Sequence, residues 1–95
     1  MRDYISLGQT PPNEECIQVG APNYRIRAIQ ECKKYIEVIR KMLGPEPEGA
    51  KLDIKACDHE LGVYYDVVCY YDDENKVAAE YAFNCEANGP QTWDL

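Results

Sequence analysis

The run Val63-Tyr64-Tyr65-Asp66-Val67-Val68-Cys69-Tyr70-Tyr71 decides how this chain folds. Valine and tyrosine fit a pleated, half-buried surface, so the run reads as the strongest strand in the sequence. Alternation sends Val63, Tyr65, Val67, Cys69 and Tyr71 to one face and Tyr64, Asp66, Val68 and Tyr70 to the other. Just before it, Lys51 to Cys57 also alternates, with Leu52, Ile54 and Ala56 pointing inward from a second strand. Asp58-His59-Glu60-Leu61-Gly62 between the two reads as a hairpin connection.

Further upstream, Pro45-Glu46-Pro47-Glu48-Gly49 is a stiff acidic turn, and the stretch from Asn23 to Leu43 is helical. Its apolar residues Ala28, Ile29, Cys32, Tyr35, Ile36, Ile39, Met42 and Leu43 recur at three- and four-residue steps and predict a broad buried stripe. Asn23 has the side chain of an N-cap, and Gly44-Pro45 is a helix stop. Tyr4 to Leu7 predicts a short strand ending at Gly8. A long irregular connection, Gln9 to Pro22, follows it, with a helical turn near Asn13 to Cys16 and with Ile17 and Val19 pinned to the body.

Downstream, Asp72-Asp73-Glu74 supplies a cap and negative charge to a second helix from Glu74 to Ala87, burying Val77, Ala78, Tyr81, Ala82 and Cys85. Asn88-Gly89-Pro90 ends it. The alternation Tyr81-Ala82-Phe83-Asn84-Cys85 keeps a strand over Ala79 to Cys85 open as an alternative. Trp93 in the tail is expected to dock on the body. The order β-α-β-β-α predicts one α+β domain over residues 1–95: a two-layer sandwich, with a small antiparallel sheet carrying both helices on one face.

Charge is unevenly spread. Asn23 to Gly44 holds six of the ten basic residues and is net +4, while everything after it is net −9 and the whole chain −7. Such fields govern encounter and choice of partner rather than fold. The acidic balance argues against a protein that coats nucleic acid. No apolar run reaches the roughly 18 residues a membrane span needs. The start Met1-Arg2-Asp3-Tyr4 leads directly into a strand, without the pattern of a signal peptide, so a cytoplasmic product is expected. The five cysteines (Cys16, Cys32, Cys57, Cys69, Cys85) contain no C-x-x-C pair and read as reduced and structural, with no metal or cofactor implied.

Three constellations compete for function. First, the face opposite the helices would show Tyr4, Ser6, Lys51, Asp53, Lys55, Tyr64, Asp66, Val68 and Tyr70, which reads as a partner-binding or self-association surface unless the long loop or the tail lies over it. The open edges of so short a sheet add a homodimer to that expectation. The acidic turn Asp72, Asp73 and Glu74 would steer a basic target or occupy a basic groove in place of nucleic acid. The partner-binding set is thus Tyr4, Tyr64, Asp66, Tyr70, Asp72, Asp73 and Glu74. Second, the helix start at Asn23, with Arg25 and Arg27, is a candidate anion or nucleotide site, although the preceding loop lacks a phosphate-cradling glycine pattern. Third, Cys57 and His59, flanked by Asp58 and Glu60, offer metal ligands or a thiol with its base; neighbours in a turn seldom converge on one point.

The chain resembles a group of small uncharacterised bacterial and prophage proteins. The shared features are Tyr4-Ile5-Ser6 with Gly8, Glu15-Cys16, Gln18-Val19-Gly20, Glu31-Cys32, Glu46-Pro47-Glu48-Gly49, His59, Gly62, Tyr64-Tyr65 and Glu80-Tyr81-Ala82. The resemblance implies a genomic setting alone, one in which small proteins often inhibit host defences by binding. The expected function is a non-enzymatic, acidic protein-binding module, an inhibitor of a host defence nuclease or surveillance complex. The alternatives are a nucleotide-binding sponge and a small enzyme using His59 and Cys57.

Overall fold

The computed structural model describes residues 2–10, 21–59 and 62–88. Its elements are β1 (Arg2–Thr10), α1 (Ala21–Leu43), β2 (Ala50–His59), β3 (Gly62–Asp72) and α2 (Lys76–Asn88). The tyrosine-rich run is the middle strand of a three-stranded sheet ordered β1-β3-β2, antiparallel at both junctions. Tyr65, Val67, Cys69 and Tyr71 on its inner face are buried against Ala28, Cys32, Ile36 and Ile39 of α1 and Ala78, Tyr81, Ala82 and Cys85 of α2. Both helices therefore lie on one side of an α+β two-layer sandwich, as the pattern of the sequence requires.

β1 runs through Gly8 instead of ending there. A bulge makes this continuation work: Ser6 pairs with Val68 and Gly8 with Val67, so Leu7 is the extra residue. The insertion shifts the alternation by one, and Leu7 sits completely buried in the core. β2 also outruns its expected end. Cys57, Asp58 and His59 pair with Tyr64, Val63 and Gly62, which shortens the hairpin connection to two residues.

α1 begins at Ala21, so Asn23 lies inside the first turn and is not the cap; Pro22 suits that first turn, where a missing amide hydrogen costs nothing. At the other end, the Gly44 amide donates to the Arg40 carbonyl at 2.9 Å, and Gly44 adopts φ 83°. This is the left-handed stop that glycine allows. Arg40 then grips the following turn, with Nε 2.6 Å from Glu46 Oε1 and a second bond from Nη2 to Oε2 at 3.2 Å. The forked pairing with Arg40 holds the Glu46 carboxyl below its ordinary range.

The second helix is also capped differently from expectation. Asn75, not a residue of the run Asp72-Asp73-Glu74, accepts the Val77 and Ala78 amides at 3.1 and 3.2 Å, and α2 starts at Lys76 rather than Glu74. Asp72 instead closes the preceding turn by accepting the Glu74 amide at 3.0 Å. Residues 79–85 are helical, because Ala78, Tyr81, Ala82 and Cys85 form the buried stripe. Two expected core residues lie outside it. Met42 is 53% exposed and Val77 62%, since each sits about 80–90° round its helix from the centre of the buried stripe. Ala56, near the far end of β2, is exposed as well. The connection over residues 11–20 and the Trp93 tail lie outside the described residues.

Tyr81 ties the layers together at their lower corner, its hydroxyl donating to the Gly44 carbonyl at 2.8 Å. Tyr81→Phe should therefore cost about 1 kcal/mol, the net worth of one such bond, read as a lower midpoint in urea with unchanged slope. An unaltered midpoint would show that water replaces the bond without loss.

Candidate functional site

The sheet face turned away from the helices is built from alternate residues of all three strands. β1 contributes Tyr4 and Ser6, β3 contributes Tyr64, Asp66, Val68 and Tyr70, and β2 contributes Lys51, Asp53, Lys55 and Cys57. Tyr4 is 43% exposed, while Tyr64 and Tyr70 are half-buried. Tyr4 and Tyr70 are direct cross-strand partners whose rings lie 5.8 Å apart with planes tilted by 56°. Lys55 reaches across from β2: its Nζ donates to Tyr4 Oη at 3.0 Å and stands 4.4 Å from the ring centre. That bond raises the Lys55 ammonium above its ordinary range. Val68 lies in register between the two ends of this bridge and is wholly buried, although it faces away from the helices.

Asp66 corrects the expectation of a contact residue. It is only 4% exposed, accepts the Ser6 hydroxyl at 2.8 Å, and takes a hydrogen bond from the Gly8 backbone. Ser6 and Gly8 flank the extra residue Leu7, so the carboxylate pins both sides of the bulge. Burial pushes the Asp66 carboxyl up, against the pull of Ser6, Gly8 and the nearby Lys55 charge. Its role in the structure is to hold β1, and it offers little surface to a partner. Beside it, the Tyr64 hydroxyl is raised by its hydrogen bond to the Cys57 thiol across the strand pair.

Asp72, Asp73 and Glu74 stay together at the corner between β3 and α2. Asp73 and Glu74 are exposed; Asp72 is half-buried, its amide donating to the Gly49 carbonyl at 2.9 Å. An exposed aromatic that sequence reasoning passed over lies next to them. Phe83 is 55% exposed and borders a depression of about 450 Å³ lined also by Asp73, Glu74, Lys76, Ala79, Glu80 and Asn84. Its signal was present in the sequence, for Phe83 falls off the stripe of Ala78, Tyr81, Ala82 and Cys85 once that stripe is read as helix.

The other two constellations are described only in part, since the Asn23 and His59 side chains lie outside the described residues. Arg25 and Arg27 are exposed, but two residues apart on a helix they point about 160° away from one another. The helix start lies at Ala21, two residues before the expected cap Asn23, and the Asn23 side chain lies outside the described residues. Much of the remaining cationic charge of α1 is engaged: Lys34 meets Glu31 at 3.3 Å, and Arg40 meets Glu37 and Glu46. His59, expected in the hairpin connection, joins Cys57 in strand β2, and its side chain lies outside the described residues. Cys32, Cys69 and Cys85 are buried free thiols. Burial drives the Cys32 thiol up to about 12, and its hydrogen bond to Cys85 together with burial raises Cys69 further. Neither of these two supplies a thiolate near neutrality.

Among the described residues no group of three His, Cys, Asp or Glu side chains is placed to hold a metal ion. No helix among them is long and apolar enough to cross a membrane. Comparison with protein families, with curated proteins and with solved structures finds no match to this chain.

Proposed function

We propose that this chain is a non-enzymatic protein-binding module whose contact surface is the sheet face carrying Tyr4, Tyr64 and Tyr70. The observation that carries the reading is the placement of both helices on the opposite face, with Tyr4 43% exposed and its ring braced by Tyr70 and Lys55. A ring held in place from two sides loses little freedom on binding, which suits an anchor at the centre of an interface. The exposed carboxylates of Asp73 and Glu74, with Asp72 behind them, favour a basic partner and speed its approach.

The target we propose is a host defence nuclease or surveillance complex, whose basic nucleic-acid groove an acidic protein can occupy. The setting is cytoplasmic, in keeping with buried free thiols. The protein acts as a homodimer through the edges that β1 and β2 leave unpaired in the described sheet.

Affinity capture from a native host, followed by kinetics on the captured partner, tests this. Reversing Asp72, Asp73 and Glu74 together to lysine should slow association roughly tenfold at low salt, with the difference shrinking as salt rises. Tyr4→Ala should instead accelerate dissociation. Association and dissociation rates that match the unmodified protein in both variants would rule the surface out.

A further inference from the structure

We infer that the depression beside Phe83 is a second, separate docking site, one that takes an arginine side chain from an exposed segment of a partner protein. Phe83 is an aromatic on the solvent side of α2, and its outward ring has an inward support. Tyr71, which is 8% exposed, packs against it with ring centres 5.9 Å apart and planes at 55°. The result is a π-surface, supported from within by Tyr71, on the border of an open depression of about 450 Å³.

The charges around that surface identify the occupant. Asp73 and Glu74 form one end of the depression, and Glu80 stands one helical turn before Phe83 on the same wall. After burial, the groups that push the Tyr71 hydroxyl up are Asp3, Asp73 and Glu86, with Cys69 last, so carboxylates also stand near the aromatic pair from β1 and from farther along α2. Lys76 is the one basic residue of the lining. An aromatic face within an acidic rim attracts a cation, and arginine satisfies both parts at once. Its planar guanidinium stacks on the ring while its fork of N–H donors meets a carboxylate. A lysine ammonium satisfies the charge, but it neither stacks nor pairs in two-pronged fashion. A neutral aliphatic segment brings no positive charge to the exposed carboxylates of Glu74 and Glu80.

This site lies on the helix side of the sandwich and is tested apart from the tyrosine face. Calorimetric titration with an arginine–glycine repeat peptide and with a lysine–glycine repeat of equal length is the measurement. The arginine peptide should bind roughly fivefold more tightly than the lysine peptide. Phe83→Ala should erase that preference without altering net charge, and Glu80→Gln should weaken the arginine peptide more than the lysine one. A thermal melt of Phe83→Ala close to that of the unmodified protein confirms that an exposed side chain was removed from an intact fold. The double variant Tyr4→Ala with Tyr70→Ala, which disables the sheet face, should keep the preference. Equal affinity for the two peptides, no binding of either, or a preference that survives Phe83→Ala would each overturn the assignment.

Discussion

Gly49→Val should destabilise this protein by roughly 2–4 kcal/mol, a fall in melting temperature on the order of 10–30 °C for a domain of this size. Two costs combine. Gly49 sits at φ 91°, in the left-handed region that a branched side chain avoids. In addition, a Cβ there would stand 2.8 Å from Asn75 Nδ2 and 3.3 Å from the Ala78 Cβ. Asn75 is the cap of α2 and also donates to the Glu48 carbonyl at 3.1 Å, so pushing it aside frays the helix and loosens the turn together.

Gly44 supplies the control, because at φ 83° it shares the backbone cost but has nothing within 4 Å of its Cβ position. Gly44→Ala should lose about 1 kcal/mol, and Gly49→Ala should lose about 1 kcal/mol more, the value of the cap. Equal losses in the two alanine variants would show that the turn does not press on Asn75.

The second large effect belongs to Asp66. Asp66→Ala should cost about 2 kcal/mol, because it strands the Ser6 hydroxyl and the Gly8 amide at a buried bulge. Asp66→Asn keeps an acceptor while removing the charge, and should stay within about 1 kcal/mol of the unmodified protein at neutral pH. The pH dependence follows from burial, which holds the folded-state pKa above that of the unfolded chain. Between those two values the folded protein binds more protons than the unfolded chain, so stability falls as pH rises. The contribution of Asp66 is fully present below the unfolded value, about 3.9, and is lost as pH climbs through the folded value. Urea denaturation from about pH 3.5 upward should show the unmodified protein losing ground to Asp66→Asn as the pH increases. Parallel curves would mean that Asp66 keeps an unfolded-like affinity for protons.

The layers of the fold were legible because period and composition agreed over long stretches. Alternation through Val63 to Tyr71 and the three- and four-residue spacing from Ala28 to Leu43 each extend over enough residues to exclude the other element. The boundaries were harder to read, since caps and turns depend on single atoms. Asp72 and Asn75 are both competent caps by composition, and the choice falls on Asn75 because its amide also reaches the Glu48 carbonyl beside Gly49. That contact joins residues 27 positions apart. The exposed aromatic at Phe83 stayed hidden while Ala79 to Cys85 was open to being strand, for its face is defined only once the segment is known to be helix.

By itself, the sequence determined the elements, their order, the identity of the central strand and the side on which the helices pack, because local periodicity fixes which side chains must leave water. Only the tertiary structure decided that β1 continues through a bulge, that Asp66 holds it from a buried position, and that Phe83 rests on Tyr71 within an acidic rim. Each of these depends on side chains from different elements meeting in space, and neither spacing nor composition along one segment records such a meeting.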